Sequence, residues 1–163
     1  AVLEDVYRRF NEAESALELD PDDPVAALAT VVEFVMSYYR KHPEFVRLLN
    51  SGNLHRGKHI GKSMRAAEYS SPAVAVVDAV LRSGVEQRLF RADVAARDLY
   101  LLIASTGYFY QSNRYTLSAF LGENLDAPQA IAHWESFVQQ TVLRTILLEP
   151  AAVQHRPGIP EVP

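Results

Sequence analysis

Apolar side chains recur at helical spacing along most of the chain, and this periodicity constrains the fold more than any other feature. Near the start, Val2, Val6, Phe10, Ala13 and Leu17 lie on one face of a helix with about 3.6 residues per turn. No segment alternates apolar and polar side chains between turn residues, as a half-buried strand would. The sequence therefore predicts an all-α fold.

Prolines and capping residues mark the expected helix ends. Asp20-Pro21 and Asp23-Pro24 open a helix, because aspartate caps free N–H groups and proline suits the first helical position. Pro43 ends this helix and begins the next one. We then expect a break at residues 50–53 and an irregular connector over 53–69, with one short helix at 60–67.

The remaining helix boundaries are predicted from residues of the same kinds. We expect a helix from Pro72 to Gln87. A long helix follows, which is capped by Asp93, interrupted near residues 112–113 and closed by Gly122. Asp126 and Pro128 open a final long helix, and Pro150 limits its end.

Composition bounds the organisation and the class of protein. With 163 residues and 48% apolar residues, the chain can bury one sizeable core, so we expect one domain over residues 1–148 and a Pro-rich tail over 149–163. A net charge of −4 without a dense basic face does not favour direct binding to DNA. The absence of cysteine excludes disulfides and fits the cytoplasm, and no apolar stretch has the length of a membrane span.

The first helix lacks a recognisable beginning. Ala1 is not an initiator methionine, and no Ser, Thr, Asp or Asn precedes the first periodic apolar residues. A helix without a cap leaves its first N–H groups unpaired, so we expect residues 1–18 to continue a helix that starts upstream. The alternative is a frayed start of a complete protein.

Three stretches of the sequence resemble the ligand domains of TetR-type transcriptional regulators. They are residues 89–99 (LFRADVAARDL), residues 108–118 (YFYQSNRYTLS) followed by 121–123 (LGE), and residues 3–7 (LEDVY). The last stretch is similar to the helix that leaves the DNA-binding head in whole regulators. Arg88 departs from the pattern, since many relatives carry glycine before the Phe-Arg pair.

The resemblance implies a single multi-helix orthogonal bundle in which the last two long helices form a four-helix interface with a second copy. It also implies a cavity for a small-molecule effector and DNA binding only through a head that this chain lacks. The expected function is that of a bacterial repressor released from its operator by its ligand, without enzymatic activity, cofactor or metal. A helical carrier or enzyme with a similar cavity is the alternative.

The candidate ligand-binding residues combine apolar side chains with a few hydroxyl, amide and imidazole groups, the mixture that orients a ligand in an apolar pocket. They are Met36, Tyr39, Leu49, His59, Val77, Leu81, Tyr100, Ile103, Tyr110 and Asn113. Because the pocket is of this kind, we expect an apolar or aromatic effector. The alternative for any one tyrosine is an ordinary core residue.

The candidate dimer interface lies on the two last long helices, which carry more apolar surface than one small domain needs to cover. Its predicted residues are Leu102, Thr106, Ile131, Trp134, Val138, Thr141 and Thr145. We expect a twofold homodimer.

Two further clusters carry side chains that can form chemical sites. His55 and His59 are four residues apart, as in metal-binding pairs, but no third ligand is evident nearby. The basic residues Arg56, Lys58, Lys62 and Arg65 suit an anionic ligand, although a solvated helix face is the simpler interpretation. No phosphate-binding loop or nucleophile elbow is present, so no catalytic residues are predicted.

Overall fold

The computed structural model describes residues 2–58 and 66–148, which form six α-helices. These are α1 (Val2–Ser15), α2 (Pro24–Lys41), α3 (Pro43–Leu54), α4 (Ala66–Glu86), α5 (Ala96–Leu121) and α6 (Pro128–Ile146). In these ranges the only extended pairing is an isolated antiparallel bridge between Phe90 and Leu147. The prediction of an all-α fold is confirmed. The Pro-rich tail at 149–163 and residues 59–65 lie outside the described residues.

Several helix ends follow the predicted chemistry. The Asp23 carboxylate accepts a hydrogen bond of 2.9 Å from the N–H of Ala26, and Pro24 occupies the first turn of α2. Asp20 and Pro21 form a turn before this helix and do not open it. The left-handed conformation of Gly122, with φ of 67°, closes α5 as expected.

Three predicted interruptions are wrong. α3 continues through residues 50–53 to Leu54, and the chain reverses only afterwards, where Arg56 and Gly57 adopt positive φ. α4 begins at Ala66 and continues through Pro72. Residues 66–67, which were predicted to end a separate short helix at 60–67, therefore belong to the same helix as the segment after Pro72. α5 is continuous at residues 112–113, because the Asn113 amide donates to the carbonyl of Phe109 and remains compatible with the helix.

Two aspartates do not cap the helices they were predicted to open. Asp93 forms an ion pair with Arg91, with 2.7 Å between the guanidinium nitrogen and the carboxylate, and Ala95 occupies the N-cap of α5. Asp126 pairs with Arg114 at 3.0 Å, and Ala127 occupies the N-cap of α6. In both turns a nearby arginine competes with the backbone N–H groups for the carboxylate.

The core forms around α2, which packs against α4, α5 and α6. It consists mainly of aliphatic side chains, including Leu28, Val31, Val35, Val77, Leu81, Leu99, Ile103, Val142 and Ile146. An aromatic cluster extends this core toward α1 and α3, where the Phe10 ring stacks on Phe45 with centroids 5.4 Å apart and meets Tyr38 edge-on at 4.9 Å. α1 is thereby fixed against α2.

The turn between α4 and α5 is tied to the end of α6. Gly84 allows the buried Phe90 ring to approach closely, since a Cβ at this position would lie 1.9 Å from the ring. The N–H of Arg91 donates to the carbonyl of Ile146 at 2.8 Å. Arg88 has φ of 60° and therefore adopts the left-handed conformation that favours glycine. Glycine is the residue that many proteins of the family that this sequence resembles carry before the Phe-Arg pair.

Candidate functional site

α1 carries an acidic side chain into the interior. Tyr7, Phe10 and Glu14 are spaced three and four residues apart and therefore share one face of the helix. Glu14 is 1% exposed, and no group in the described residues donates a hydrogen bond to either carboxyl oxygen. Burial raises the pKa of this carboxyl to about 7, because desolvation penalises the charged form.

Two tyrosines on other helices are close enough to interact electrostatically with this acid, and Tyr7 of α1 is close enough to interact with both of them. The pKa of Tyr39 on α2 is raised by burial and further by Tyr100, Tyr7 and Glu14. Burial raises the pKa of Tyr100 on α5 to about 12, and Glu14 and Tyr7 contribute to the shift. We call Tyr7, Glu14, Tyr39 and Tyr100 the acid–tyrosine cluster. It places one acid and three aromatic rings between α1, α2 and α5.

The Tyr39 ring is held by close packing on several sides. It stacks on Phe45 with centroids 5.8 Å apart and meets Tyr108 edge-on at 6.5 Å. Gly107 lets α5 approach this ring, because a Cβ there would lie 3.1 Å from Cδ2 of Tyr39. Neighbouring side chains therefore restrict how the ring can move.

A second feature is a groove between α3 and α5, with a volume of about 390 Å³. Pro43, Val46, Arg47, Asn50, Gln111, Ser112, Arg114 and Tyr115 line it. The Asn50 amide oxygen accepts hydrogen bonds from the hydroxyls of Tyr108 and Ser112, the latter at 3.0 Å. Arg114 donates to the carbonyl of Gln111 and to the hydroxyl of Tyr115, both at 2.6 Å. The polar groups of this groove are largely paired with one another.

The structure separates the predicted ligand-binding residues into two groups. Tyr39 and Tyr100 meet in the acid–tyrosine cluster, whereas Tyr110 and Asn113 do not join them. The Tyr110 hydroxyl donates to the carbonyl of Leu125 at 2.8 Å, and its ring stacks on Trp134 at 5.4 Å. The Asn113 amide bonds its own helix at Phe109.

The other predicted ligand-binding residues are mostly in the core. Met36, Val77, Leu81 and Ile103 are buried, Leu49 is half-buried, and His59 lies outside the described residues. Of the predicted basic cluster, Arg56 and Lys58 are exposed in the turn after α3, and Lys62 and Arg65 are outside the described residues.

Sequence reasoning missed Glu14, which contributes the acid of the cluster. The signal was available, because Glu14 follows Tyr7 by seven positions and Phe10 by four and so occupies the apolar stripe of α1. A charged residue in such a stripe is either buried with the apolar side chains, or the helix turns so that this residue reaches the solvent. Its burial makes it the most distinctive polar group of this interior.

The predicted interface residues lie mainly on a surface formed by α5 and α6. Thr106, Thr141 and Thr145 donate their hydroxyls to carbonyls three or four residues earlier in their own helices, so these hydroxyls are already paired within the subunit. Large apolar side chains accompany them, since Phe109, Phe120 and Phe137 are exposed and Trp134 is stacked against Phe137. Leu102 and Ile131 are half-buried.

Val138 does not belong to this surface. It is 2% exposed and packs in the core of the single chain, so it has almost no area to offer a second copy. The reason is its position on α6, where Val138, Val142 and Ile146 follow one another at intervals of four residues and face α2. Phe137, one residue earlier, points outward.

The described residues contain no group of three His, Asp or Glu side chains placed to hold a metal ion. Among the described helices, none combines the length and the apolarity that crossing a membrane requires.

Comparisons with known proteins agree with this architecture. The family described as "Tetracyclin repressor-like, C-terminal domain" matches residues 24–142. The chain is also similar to the HTH-type transcriptional repressor NicS of Pseudomonas putida, with 45% identity over 144 residues that cover 88% of this chain and 68% of the relative.

Proposed function

Because the chain belongs to the family of tetracycline repressor-like C-terminal domains, as a homologue of a TetR-type transcriptional repressor, we propose that it is an effector-sensing and dimerisation domain. In this role it would bind a small molecule in its interior and a second copy of itself through α5 and α6. DNA would be bound by a helix-turn-helix head preceding α1.

The observation that carries the sensor function is the acid–tyrosine cluster. A buried carboxyl without a hydrogen-bond donor destabilises a single folded chain, and natural interiors contain few such groups. A ligand that supplies the missing partner is one reason for a protein to retain such a group. Tyr39 and Tyr100 add aromatic walls, so the site combines apolar surface with one polar anchor, as small-molecule sites do.

The homodimer is supported by the apolar surface of α5 and α6. Phe109, Phe120 and Phe137 are exposed on these two helices, and the indole N–H of Trp134 is buried without an acceptor in the described residues. Two copies related by a twofold axis would cover this surface with a four-helix contact, which we expect to bury more than about 1,000 Å² in total.

Coupling between ligand and DNA would run through α1. Glu14 lies one residue before the end of this helix, and the first residues of α1 resemble the connection to the head in whole regulators. A ligand held by Glu14 favours one position of α1 and thereby one separation of the two heads, which must match major grooves about 34 Å apart. We place this switch in the cytoplasm, where a bacterial regulator reaches DNA.

Sedimentation and an effector screen test this function together. We expect the chain to sediment as a dimer at micromolar concentration and to gain thermal stability with at least one compound of a broad metabolite panel. A regulator that carries this chain and a head should release its operator with the same compound. A monomer that responds to no compound would contradict the proposed function.

A further inference from the structure

We propose that the acid–tyrosine cluster selects effectors that carry a protonated amine or amidine on a small aromatic body, with the Glu14 carboxylate as their counter-ion. This inference rests on the proposed sensor function and specifies the chemical class of its ligand. It follows from three properties of the cluster: an acceptor without a donor, aromatic walls, and the absence of basic groups among its described members.

The first property is the unmet hydrogen-bonding capacity of Glu14. Both carboxyl oxygens are buried, and no described side chain or backbone group donates to them. An ammonium or amidinium group offers several N–H donors together with the opposite charge, which makes it the strongest partner for a buried carboxylate. A neutral hydroxyl would supply one donor and would leave the charge uncompensated.

The second property is the aromatic surroundings of the acid. Tyr7, Tyr39 and Tyr100 come from three helices, and each is buried or half-buried. The face of a tyrosine ring attracts a cation, and this attraction grows when water is excluded. The same rings pack against a flat aromatic ligand. An organic cation with an aromatic body therefore uses every described member of the cluster.

The third property decides between cations and anions. The groups whose charges act on Tyr39 and Tyr100 are other tyrosines and Glu14, and none of these described groups is basic. A carboxylate or phosphate ligand would therefore face an acid and no described counter-charge in a buried site. The α3–α5 groove differs from the cluster in charge, because the basic residues Arg47 and Arg114 contribute to its lining.

Calorimetric titration with three probes of one shape tests this inference. Benzylamine, benzyl alcohol and benzoate share a benzene ring and differ mainly in being cationic, neutral or anionic at neutral pH. We expect benzylamine to bind and to raise the melting temperature, and we expect the other two to bind at least about tenfold more weakly.

Two variants identify the anchor. Glu14→Gln keeps the size of the side chain and removes the charge, so we expect it to weaken benzylamine binding about 10- to 100-fold. Glu18→Gln is the matched control, since Glu18 is exposed beyond the end of α1, and its affinity for benzylamine should equal that of the unaltered chain. Circular dichroism and sedimentation confirm that each variant is folded and in the same oligomeric state.

The inference is overturned if benzyl alcohol or benzoate binds as tightly as benzylamine, if Glu14→Gln retains full affinity, or if none of the three probes binds. These outcomes leave the proposed function standing when the chain still dimerises and responds to another compound of the metabolite panel. Failure of the proposed function has a different signature, namely a monomer that responds to nothing in that panel.

Discussion

The interior around α1 and the outer surface of α5 and α6 depart from the usual distribution of side chains in opposite directions. In the interior, the Glu14 carboxyl is buried, and no group in the described part of the chain donates a hydrogen bond to it. On the surface, Phe109 and Phe137 are large aromatic side chains exposed to water. Among the described residues, the acid in the interior has no hydrogen-bond donor, and the aromatic surface has no apolar cover, so the two regions require partners of different chemistry.

One chain can therefore hold two separate binding functions. A small molecule can supply donors inside a folded subunit, whereas several aromatic side chains along two helices need an extended apolar surface. A second copy offers such a surface with the same sequence. Disrupting either region should therefore affect a different property of the protein, and four substitutions with two controls measure this.

The largest expected effects come from neighbouring positions on α6. Phe137→Glu places a charge on the exposed side, where Phe137 is 54% exposed, and should weaken the dimer at least about 100-fold while each subunit stays folded. Val138→Glu places the same charge in the core and should lower the free energy of unfolding by more than about 4 kcal/mol. Sedimentation and urea denaturation distinguish the two results.

Leu54→Glu is the matched control for these charges. Leu54 is 83% exposed at the end of α3 and belongs to neither α5 nor α6, so a glutamate there should change neither the oligomeric state nor the stability appreciably. If Phe137→Glu remains a dimer as strong as the control, the α5–α6 surface is not the contact between copies.

The second prediction concerns the interior acid and the pH dependence of stability. The pKa of Glu14 is about 7 in the folded chain and 4.5 as its reference value. Because the folded state holds this proton more tightly, the unfolded state gains relative stability as pH rises from about 4.5 to 7, and the folded chain loses about 3 kcal/mol. Tyr39 and Tyr100 stay neutral in this range, since burial raises the pKa of each.

Glu14→Gln removes this titration. The free energy of unfolding of Glu14→Gln, minus that of the unaltered chain, should grow by about 3 kcal/mol between pH 4.5 and 8. Urea denaturation of both proteins across this range provides the measurement. Glu18→Gln should show no such change. A difference independent of pH would mean that Glu14 is ionised in the folded state and has a partner for its charge.

The two regions also differ in how well the sequence predicted them. Helical spacing on α5 and α6 predicted Trp134 and the threonines of this surface. The exposed side chains of Phe109, Phe120 and Phe137 were not among the predicted residues, and Val138 was predicted in place of its exposed neighbour Phe137. Glu14 was missed because a charged residue in a helical stripe is ordinarily assigned to the solvent side. Its burial depends on how α1 packs against α2 and α4, which the sequence of α1 does not contain.

Helix boundaries show the same limit. The ends set by local chemistry, such as Asp23 with Pro24 and the left-handed Gly122, were predicted correctly. The predicted break at residues 112–113 was wrong, although Ser112 and Asn113 are residue types that favour turns. In the folded chain, Ser112 donates to Asn50 on α3, a partner 62 positions earlier in the sequence. Tertiary contacts of this kind override local preference.

The smallest expected effect comes from Tyr110, which was predicted to bind ligand but lies on the α6 side of α5. Its hydroxyl donates to the carbonyl of Leu125, and its ring stacks on Trp134. Tyr110→Phe removes this one hydrogen bond and keeps the ring, so the free energy of unfolding should fall by about 1 kcal/mol and the melting temperature by about 2 to 4 °C.

Affinity for the effector should not change, because the lost hydroxyl anchors the turn between α5 and α6 and does not face the acid–tyrosine cluster. Titration of the variant with the effector found in the metabolite screen, beside its thermal unfolding, measures both quantities. A loss of affinity without a loss of stability would reverse the assignment of Tyr110 and place a ligand contact on the side of α5 that faces α6.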